Sequence, residues 1–378
     1  MTVTWLWLAA GPAIALALAS LAGERRRAAY VRARLAERPA SLPTATVIVP
    51  VKGPEPNLRA NLAALAAQDY PDYELIVTAR TAWDIPGGVL PRWAKVVVGR
   101  PDDPETGDKV QNLLAGVKAA RKRSEVLAFA DSDSLVSPRW LRALAAPLGE
   151  AGVGASTGYR WHTPEPAGWW SLLRGGWDAV IGGSLGAGGS RFAWGGSMAI
   201  RKETFFEVRV PDFWKGAVSD DYALSAAVRR KGLRIAFAPG ALVACAEPAG
   251  AAAFFRWTRR QLLITRVYDT RLWWTALVSH AVYCGGMAAG AAALAMGRWE
   301  GGAALAAQLI PGMFKGYRRA RLARESMPEQ EAWFRRHGWA HTWLVPAVTW
   351  LWLAALVASA AGRTIEWRGR AYRLRRGW

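Results

Sequence analysis

The chain has 378 residues, enough for one large domain or two ordinary ones. Apolar residues make up 52%, tryptophans number 22 and mean hydropathy is slightly positive, a balance too apolar for an ordinary soluble enzyme and too polar for a pure membrane bundle. The net charge of +20 calls for a polyanionic partner, either nucleic acid or an anionic membrane face, while two cysteines, Cys245 and Cys284, argue against a disulfide framework and for a reducing compartment.

Residues 3–22 carry no charge, and about 20 residues at ~1.5 Å each span a ~30 Å hydrocarbon core. Glu24-Arg25-Arg26-Arg27 follows, with Arg32, Arg34 and Arg38 behind it. A cleaved signal peptide carries its positive charge before the apolar run, so this pattern reads as an uncleaved anchor with the remainder of the chain cytoplasmic.

From 46 to 247 strand-like and helix-like pieces alternate. Residues 46–49 form an apolar strand that runs on to Lys52. Residues 57–68 are helical, with Leu58, Leu62 and Leu65 at spacings of three and four. Strands follow at 73–78 and 95–98, with Asp84 in the turn between them, then a helix over 109–121 and a strand over 125–130. This rhythm predicts an α/β fold, a doubly wound and mainly parallel sheet. Neither a G-x-G-x-x-G after the first strand nor a G-x-x-x-x-G-K-[ST] is present, so dinucleotide and P-loop readings lose their support.

Asp131-Ser132-Asp133 ends the last of these strands. Ligands of open α/β sheets bind at the carboxyl ends of strands, and two carboxylates one residue apart can hold a hard divalent cation against a substrate's phosphates. Taken alone the tripeptide is common in turns. Further on, Ser219-Asp220-Asp221 precedes a helix over 222–230, a pattern that by itself is a helix N-cap. Residues 254–268 mix aromatics with Arg256, Arg259, Arg260 and Arg266, as an amphipathic interfacial helix would. The histidines show no ligand spacing.

Apolar stretches cover 272–296, 301–314 and 339–361. The tail after Gly362 is Arg-rich and hence cytoplasmic, which requires an even number of crossings. The reading that satisfies this count makes the first and last stretches spans. The middle one, short and holding Gln308 and Pro311, is then a non-spanning hairpin.

Several pieces, in this order, resemble the family 2 and family 21 glycosyltransferases of GT-A fold, and among them the ceramide glucosyltransferases and their bacterial relatives. These are Lys52-Gly53-Pro54-Glu55-Pro56-Asn57-Leu58, Gln68-Asp69-Tyr70-Pro71-Asp72-Tyr73-Glu74, Lys109 through Asn112-Leu113, Asp131-Ser132-Asp133, residues 192–201 with Gly195-Gly196-Ser197, Ser219-Asp220-Asp221-Tyr222, Arg256-Trp257 and the tail Trp367-Arg368-Gly369-Arg370-Ala371-Tyr372-Arg373-Leu374-Arg375. Two departures stand out: Ala253 where the family's (Gln/Arg)-x-x-Arg-Trp motif has Gln or Arg, and Asp220 for the Glu of Glu-Asp-Tyr. Arg259, Arg260 or Gln261 lies one helical turn on and could replace the missing contact.

The resemblance implies transfer of a hexose from a UDP-sugar, glucose first, to the hydroxyl of a membrane lipid such as ceramide, with inversion. It implies Asp221 as catalytic base and Asp131 with Asp133 as ligands of Mg²⁺ or Mn²⁺. Donor contacts would come from Lys52, Asp84, Lys109, Asp131, Arg256 and Trp257, and the acceptor side would be built by Gly196, Ser197 and Asp220. Against these stand plainer readings: a solvated surface charge for each Lys, a turn residue for Asp84, a helix cap for Asp220 and Asp221.

The expected organisation is an anchor (1–22), a basic juxtamembrane linker (23–44), the catalytic domain (45–250), an interfacial helix (251–271), membrane segments (272–362) and a cytoplasmic tail (363–378). The corresponding location is a bacterial-type inner membrane, multi-pass, with the catalytic domain cytoplasmic. Anionic phospholipid headgroups answer the positive charge better than nucleic acid, since basic residues cluster beside apolar segments and no nucleic-acid motif is present. Alternatives are N-acetylglucosaminyl or other hexosyl transfer to a hopanoid or diacylglycerol-type lipid, a processive polysaccharide synthase, and a basic membrane-tethered binding protein without activity.

Overall fold

The computed structural model describes all residues except 1–3, 40, 54, 86, 100–102, 191, 368 and 376–378. Val3 of the anchor, Pro54 of the opening motif and Arg368 of the tail motif lie outside the described residues.

Two helices lead, α1 (Thr4–Ala19) and α2 (Glu24–Ala36). The α/β part follows with β1 (Ala45–Val51), α3 (Leu58–Ala66), β2 (Tyr73–Ala79), β3 (Lys95–Val98), α4 (Asp108–Ala119), β4 (Val126–Ala130), α5 (Trp140–Ala145), β5 (Val153–His162) and α6 (Trp169–Gly182). It closes with β6 (Ser197–Arg201), α7 (Lys202–Glu207), α8 (Val210–Trp214), α9 (Asp220–Arg230) and β7 (Arg234–Cys245). Helices α10 (Ala251–Tyr268), α11 (Thr270–Ala295), α12 (Trp299–Ser326), α13 (Glu331–His337), α14 (Ala340–Trp343) and α15 (Val345–Ala358) come next, then a hairpin of β8 (Thr364–Trp367) and β9 (Arg370–Arg373).

The seven strands of the main sheet run in the order β3-β2-β1-β4-β6-β5-β7. All neighbours are parallel except those of β6, which runs against both β4 and β5. The doubly wound, mainly parallel expectation therefore holds. Both faces are covered, which is why β1 and β4 read as continuous apolar runs. Val47, Val49, Ala128 and Ala130 enter the core on one face, and Ile48, Leu127 and Phe129 the core on the other. Helix α4 buries Val110, Leu113 and Val117 on the second face. Gly116 allows the close approach, since a Cβ there would meet Ile48 Cγ2 at 2.5 Å.

The sheet order reverses between β2-β1 and β4, opening a crevice at the carboxyl ends of β1 and β4. The antiparallel β6 starts beside the end of β4, in register Ala130↔Ser197. This brings the Gly195-Gly196 turn alongside Asp131, whose N–H donates to Gly196 O at 3.3 Å.

Outside the sheet the structure departs from the sequence reading in three places. First, much of the 23–44 linker is helix α2, docked on the catalytic domain: Tyr30 Oη donates to Phe237 O at 2.7 Å and Arg27 Nε to Leu185 O at 2.9 Å. Second, the 301–314 stretch belongs to a continuous helix of 28 residues, α12, while 339–361 is broken at Leu344 and leaves α15 with 14 residues. At ~1.5 Å per residue α15 is about 21 Å long, short of a ~30 Å hydrocarbon core. Third, the tail is a β-hairpin, with Ile365, Tyr372 and Leu374 buried against Val218, Leu263 and Tyr268. Among the described residues two helical segments are long and apolar enough to cross a membrane, Thr4–Ala36 and Thr270–Ala295.

Candidate active site

Each element contributes its end to one cavity of about 240 Å³. Lys52 comes from the end of β1, Asp131 and Asp133 from the end of β4, and Lys109 from the first turn of α4. The start of α9 adds Asp220 and Asp221, one face of α10 adds Trp257, Arg260 and Gln261, and the C-terminal hairpin adds Trp367 and Tyr372.

The electrostatic centre is Lys109. Its Nζ lies 2.8 Å from Asp131 Oδ1 and 3.2 Å from Asp220 Oδ1. Burial works against the ammonium, but Asp131 and Asp220 outweigh it and hold its pKa above the ordinary value. Asp220 is 3% exposed, and burial, with Asp221 and Asp131 adding to it against the pull of Lys109, pushes its carboxyl up to about 7. Its Oδ2 has no hydrogen-bond partner among the described residues. Gly195 is required here, because any side chain at that position would collide with this carboxylate.

Asp221 is half-buried. Its Oδ1 accepts from Tyr222 N at 2.7 Å and from Ser219 Oγ, and its Oδ2 from Gly195 N at 3.4 Å. Helix-start bonding and a seat in the cavity thus coincide in one residue. Lys52 Nζ is 3.1 Å from Asp108, a buried carboxylate that also pairs with Arg370 of the hairpin and meets Arg80 at 3.6 Å. The hairpin is thereby pinned beside the cavity.

Asp131 is half-buried and Asp133 exposed. Among the described residues no group of three His, Cys, Asp or Glu side chains converges. Two carboxylates nevertheless suit a hard cation such as Mg²⁺, which binds through one or two of them and takes its other oxygens from water and a diphosphate. Gly196 keeps Asp131 open, since a Cβ there would lie 2.6 Å from Asp131 Oδ2.

Several expected residues are placed elsewhere. Arg256 is exposed and does not line the cavity; Arg260, one turn on, does. Arg259 also points away, its Nε donating to Ala358 O at 3.0 Å. Asp84 braces the loop after β1, accepting from Gly53 N at 3.0 Å and Thr81 N at 2.9 Å, so its turn reading is realised. Ser197 is fully buried in the sheet between Trp140 Nε1 and Ala241 O, both at 2.8 Å, and the buried Gly196 lies beside Asp131 without lining the cavity.

The sequence model of glycosyl transferase family 21 matches residues 5–378. The chain belongs to glycosyl transferase family 21. No curated protein matches it. Among solved structures, the mannosyltransferase PcManGT from Pyrobaculum calidifontis, in complex with GDP-Man and Mn²⁺, is similar with a TM-score of 0.51 at 17% identity, over 93% of this chain and 97% of its own. GalNAc-T7 with UDP, GalNAc and Mn²⁺ gives a TM-score of 0.42 at 16% identity, over 64% of this chain and 51% of its own. Glucosyl-3-phosphoglycerate synthase from Mycobacterium tuberculosis, with Mn²⁺ and UDP-glucose, gives 0.34 at 18% identity, over 59% and 74%. The likeness to the Pyrobaculum enzyme is one of fold, and that fold is GT-A.

This family 21 glycosyltransferase has a further cavity wall that sequence reasoning missed. Arg160 on β5 pairs with Asp178 on α6 at 3.1 Å and stacks over Trp257 at 4.8 Å. Tyr159 Oη donates to the same Asp178 at 2.9 Å. Burial opposes the charge of Asp178, but Arg160 and its other neighbours hold its pKa below the carboxylate norm. His162 lies 3.3 Å from Asp178, and burial lowers its pKa to about 4, so the ring is neutral at pH 7. Arg174 donates to Glu247 O. No motif signals this network, because its members meet only when β5 and α6 pack.

Proposed function

We propose that the protein moves one hexose from a UDP-sugar to the hydroxyl of a membrane lipid, with glucose and ceramide as the first choices. The observation that carries this is the shared cavity. Asp221, half-buried, faces the same space as Asp131, Asp133 and the cations Lys52, Lys109 and Arg260. Helix α10 borders that space and runs almost directly into the apolar α11.

In this reading Lys52 and Arg260 bind the donor diphosphate, and Trp257 packs against donor or acceptor. Asp131 and Asp133 would hold Mg²⁺ or Mn²⁺, which supplies charge neutralisation for the leaving diphosphate. That the Pyrobaculum enzyme of the same fold was solved with Mn²⁺ supports a divalent cation here. Asp221 Oδ takes the proton of the acceptor hydroxyl as that oxygen forms its bond to the anomeric carbon. The bond from that carbon to the diphosphate breaks on the opposite face, so an α-linked donor gives a β-glycoside. A second reading gives the proton to Asp220, whose acidity near 7 matches the operating pH of a base.

The catalytic domain, about 45–250, is cytoplasmic in this reading. Helix α1 is the anchor, and α11 with residues 299–318 of α12, about 30 Å at ~1.5 Å per residue with Lys315 and Arg318 snorkelling to the headgroups, supplies two crossings, which returns the tail to the cytoplasm and satisfies the even count. Leu8, Val278, Leu294 and Ile310 are exposed apolar side chains on these helices, as a lipid-facing surface would have. Helices α14 and α15 lie at the interface. The test is transfer of radiolabelled sugar in membranes, with mass spectrometry of lipid extracts from cells with and without the protein. A single-sugar glycolipid is expected. A polymer would instead indicate a processive synthase.

A further inference from the structure

A second cavity, of about 290 Å³, lies behind α6, bounded by α1, α11, α12 and α15. It is separate from the transfer site: Trp177 of α6 stacks on Trp352 of α15 at 4.1 Å and walls the two apart. Its sides are apolar, with Leu16, Val345, Val348 and Trp352. Lys315 and Arg319, one turn apart on α12, also line it.

These cations are not used by the fold in the usual way. Neither makes a hydrogen bond or ion pair among the described residues. Gly183, just after α6, provides the room for Arg319, since a Cβ there would lie 2.5 Å from Arg319 Cδ. A third cation, Arg27, adjoins them; its Nε and Nη2 donate to Leu185 O and Gly182 O, and its buried Nη1 has no partner among the described residues. The carboxylate facing this group is Glu24, itself buried with Oε2 unpartnered. His341 also lines the cavity, with Nδ1 unpartnered. Three cations against one carboxylate leave a half-buried positive excess, which an anion would compensate.

The position selects the anion. The apolar run of α12 ends at Phe314 and its basic half begins at Lys315, so the cations stand where hydrocarbon gives way to headgroups. We propose that this cleft holds one anionic phospholipid, its phosphodiester on Lys315 and Arg319 and an acyl chain along Leu16 and Val345. The lipid would tie α1 and α12 to α6, and so steady the back of the transfer site without being its acceptor. This rests on the membrane reading given above.

The test uses the full chain in nanodiscs of phosphatidylcholine with a minor share of phosphatidylglycerol, followed by native mass spectrometry of the lipid retained on release. One phosphatidylglycerol per chain is expected, in preference to phosphatidylcholine. The double variant Lys315→Gln/Arg319→Gln should weaken that preference about 25-fold, from ~1 kcal/mol per basic residue at an anionic surface and ~1.4 kcal/mol per tenfold. Lys315→Arg should keep it. Should the double variant fail to fold, Val345→Trp, which fills the apolar wall and leaves every charge in place, must expel the lipid. Equal retention of both lipids, or unchanged retention in the variants, overturns the proposal. So does competition by inorganic phosphate at concentrations matching phosphatidylglycerol, which would mark a free-anion site. A chain that does not enter nanodiscs overturns the membrane reading instead.

Discussion

The Lys109 ammonium lies 3.2 Å from the Asp220 carboxylate, and both side chains are nearly sealed from water, at 12% and 5% exposure. Removing one partner of such a pair typically costs ~3–5 kcal/mol, because the other charge stays buried alone. The Asp220 carboxyl near 7 gives that cost a pH dependence. An unfolded Asp titrates at about 3.9. The folded state therefore holds a proton that the unfolded state has released, so the stability tied to this proton is full below about 4 and lost as pH rises through about 7. In Lys109→Met the carboxyl rises further, and protonation rescues the orphan at low pH. The melting temperature of the variant in detergent should fall below wild type by more at pH 8.5 than at pH 6. A gap of equal size at both values would show that Asp220 does not titrate in this window.

Metal removal is the second prediction. Two carboxylates, with no third His, Cys, Asp or Glu converging on them among the described residues, make a site that depends on substrate oxygens, so the ion should be lost readily to a chelator. Sugar transfer is expected to stop in excess chelator and to return on adding Mn²⁺ or Mg²⁺. Asp133→Ala should weaken both metal and donor binding. Full turnover in chelator would remove the metal from the mechanism.

The third prediction separates two arginines that the family motif does not. Arg260 lines the cavity and Arg256 does not. A hydrogen bond to a charged group is worth ~1.5–3 kcal/mol, so Arg260→Ala should raise the donor KM about tenfold to a hundredfold. Arg256→Ala should change it by less than about threefold, within the ~0.5 kcal/mol expected of a surface position. The reverse ranking would mean that α10 turns when donor binds.

Much of the catalytic half was legible because its signals are local. An apolar run without Gly or Pro fixed β4, and the aspartates follow directly from where that strand ends. β5 and β7 were harder. Gly154 and Gly158 interrupt one, Pro239 and Gly240 the other, and their pairing joins segments far apart in sequence. Hence Arg160, His162 and Asp178 went unseen. In α12, Gln308 looked like a break, yet its side-chain Nε2 donates to Tyr283 O and its backbone O accepts from Tyr283 Oη, so α11 pairs part of what the sequence alone leaves open, Oε1 alone staying without a partner among the described residues. Ile365 opposite Tyr372 and Trp367 opposite Arg370, on either side of Gly369, is a hairpin pattern concealed by the arginines around it.

The base is the last and sharpest prediction. Asp220 and Asp221 are neighbours and both line the cavity, but the fold treats them differently: Asp220 is buried against Lys109, while Asp221 is half-buried. A hydroxyl entering from the membrane side meets Asp221 first in the proposed reading. A general base contributes ~10²–10⁴-fold, about 3–5 kcal/mol of barrier at ~1.4 kcal/mol per tenfold. Asp221→Asn keeps the acceptor oxygen that bonds Tyr222 N–H, so the start of α9 should persist while proton transfer is lost. The expected result is a kcat drop in that range with donor affinity unchanged by calorimetry, against a loss of less than about tenfold for Asp220→Asn. If Asp220→Asn is instead the crippled variant, and the acid limb near pH 7 in the wild-type rate disappears with it, the proton goes to Asp220 and Asp221 is a helix cap.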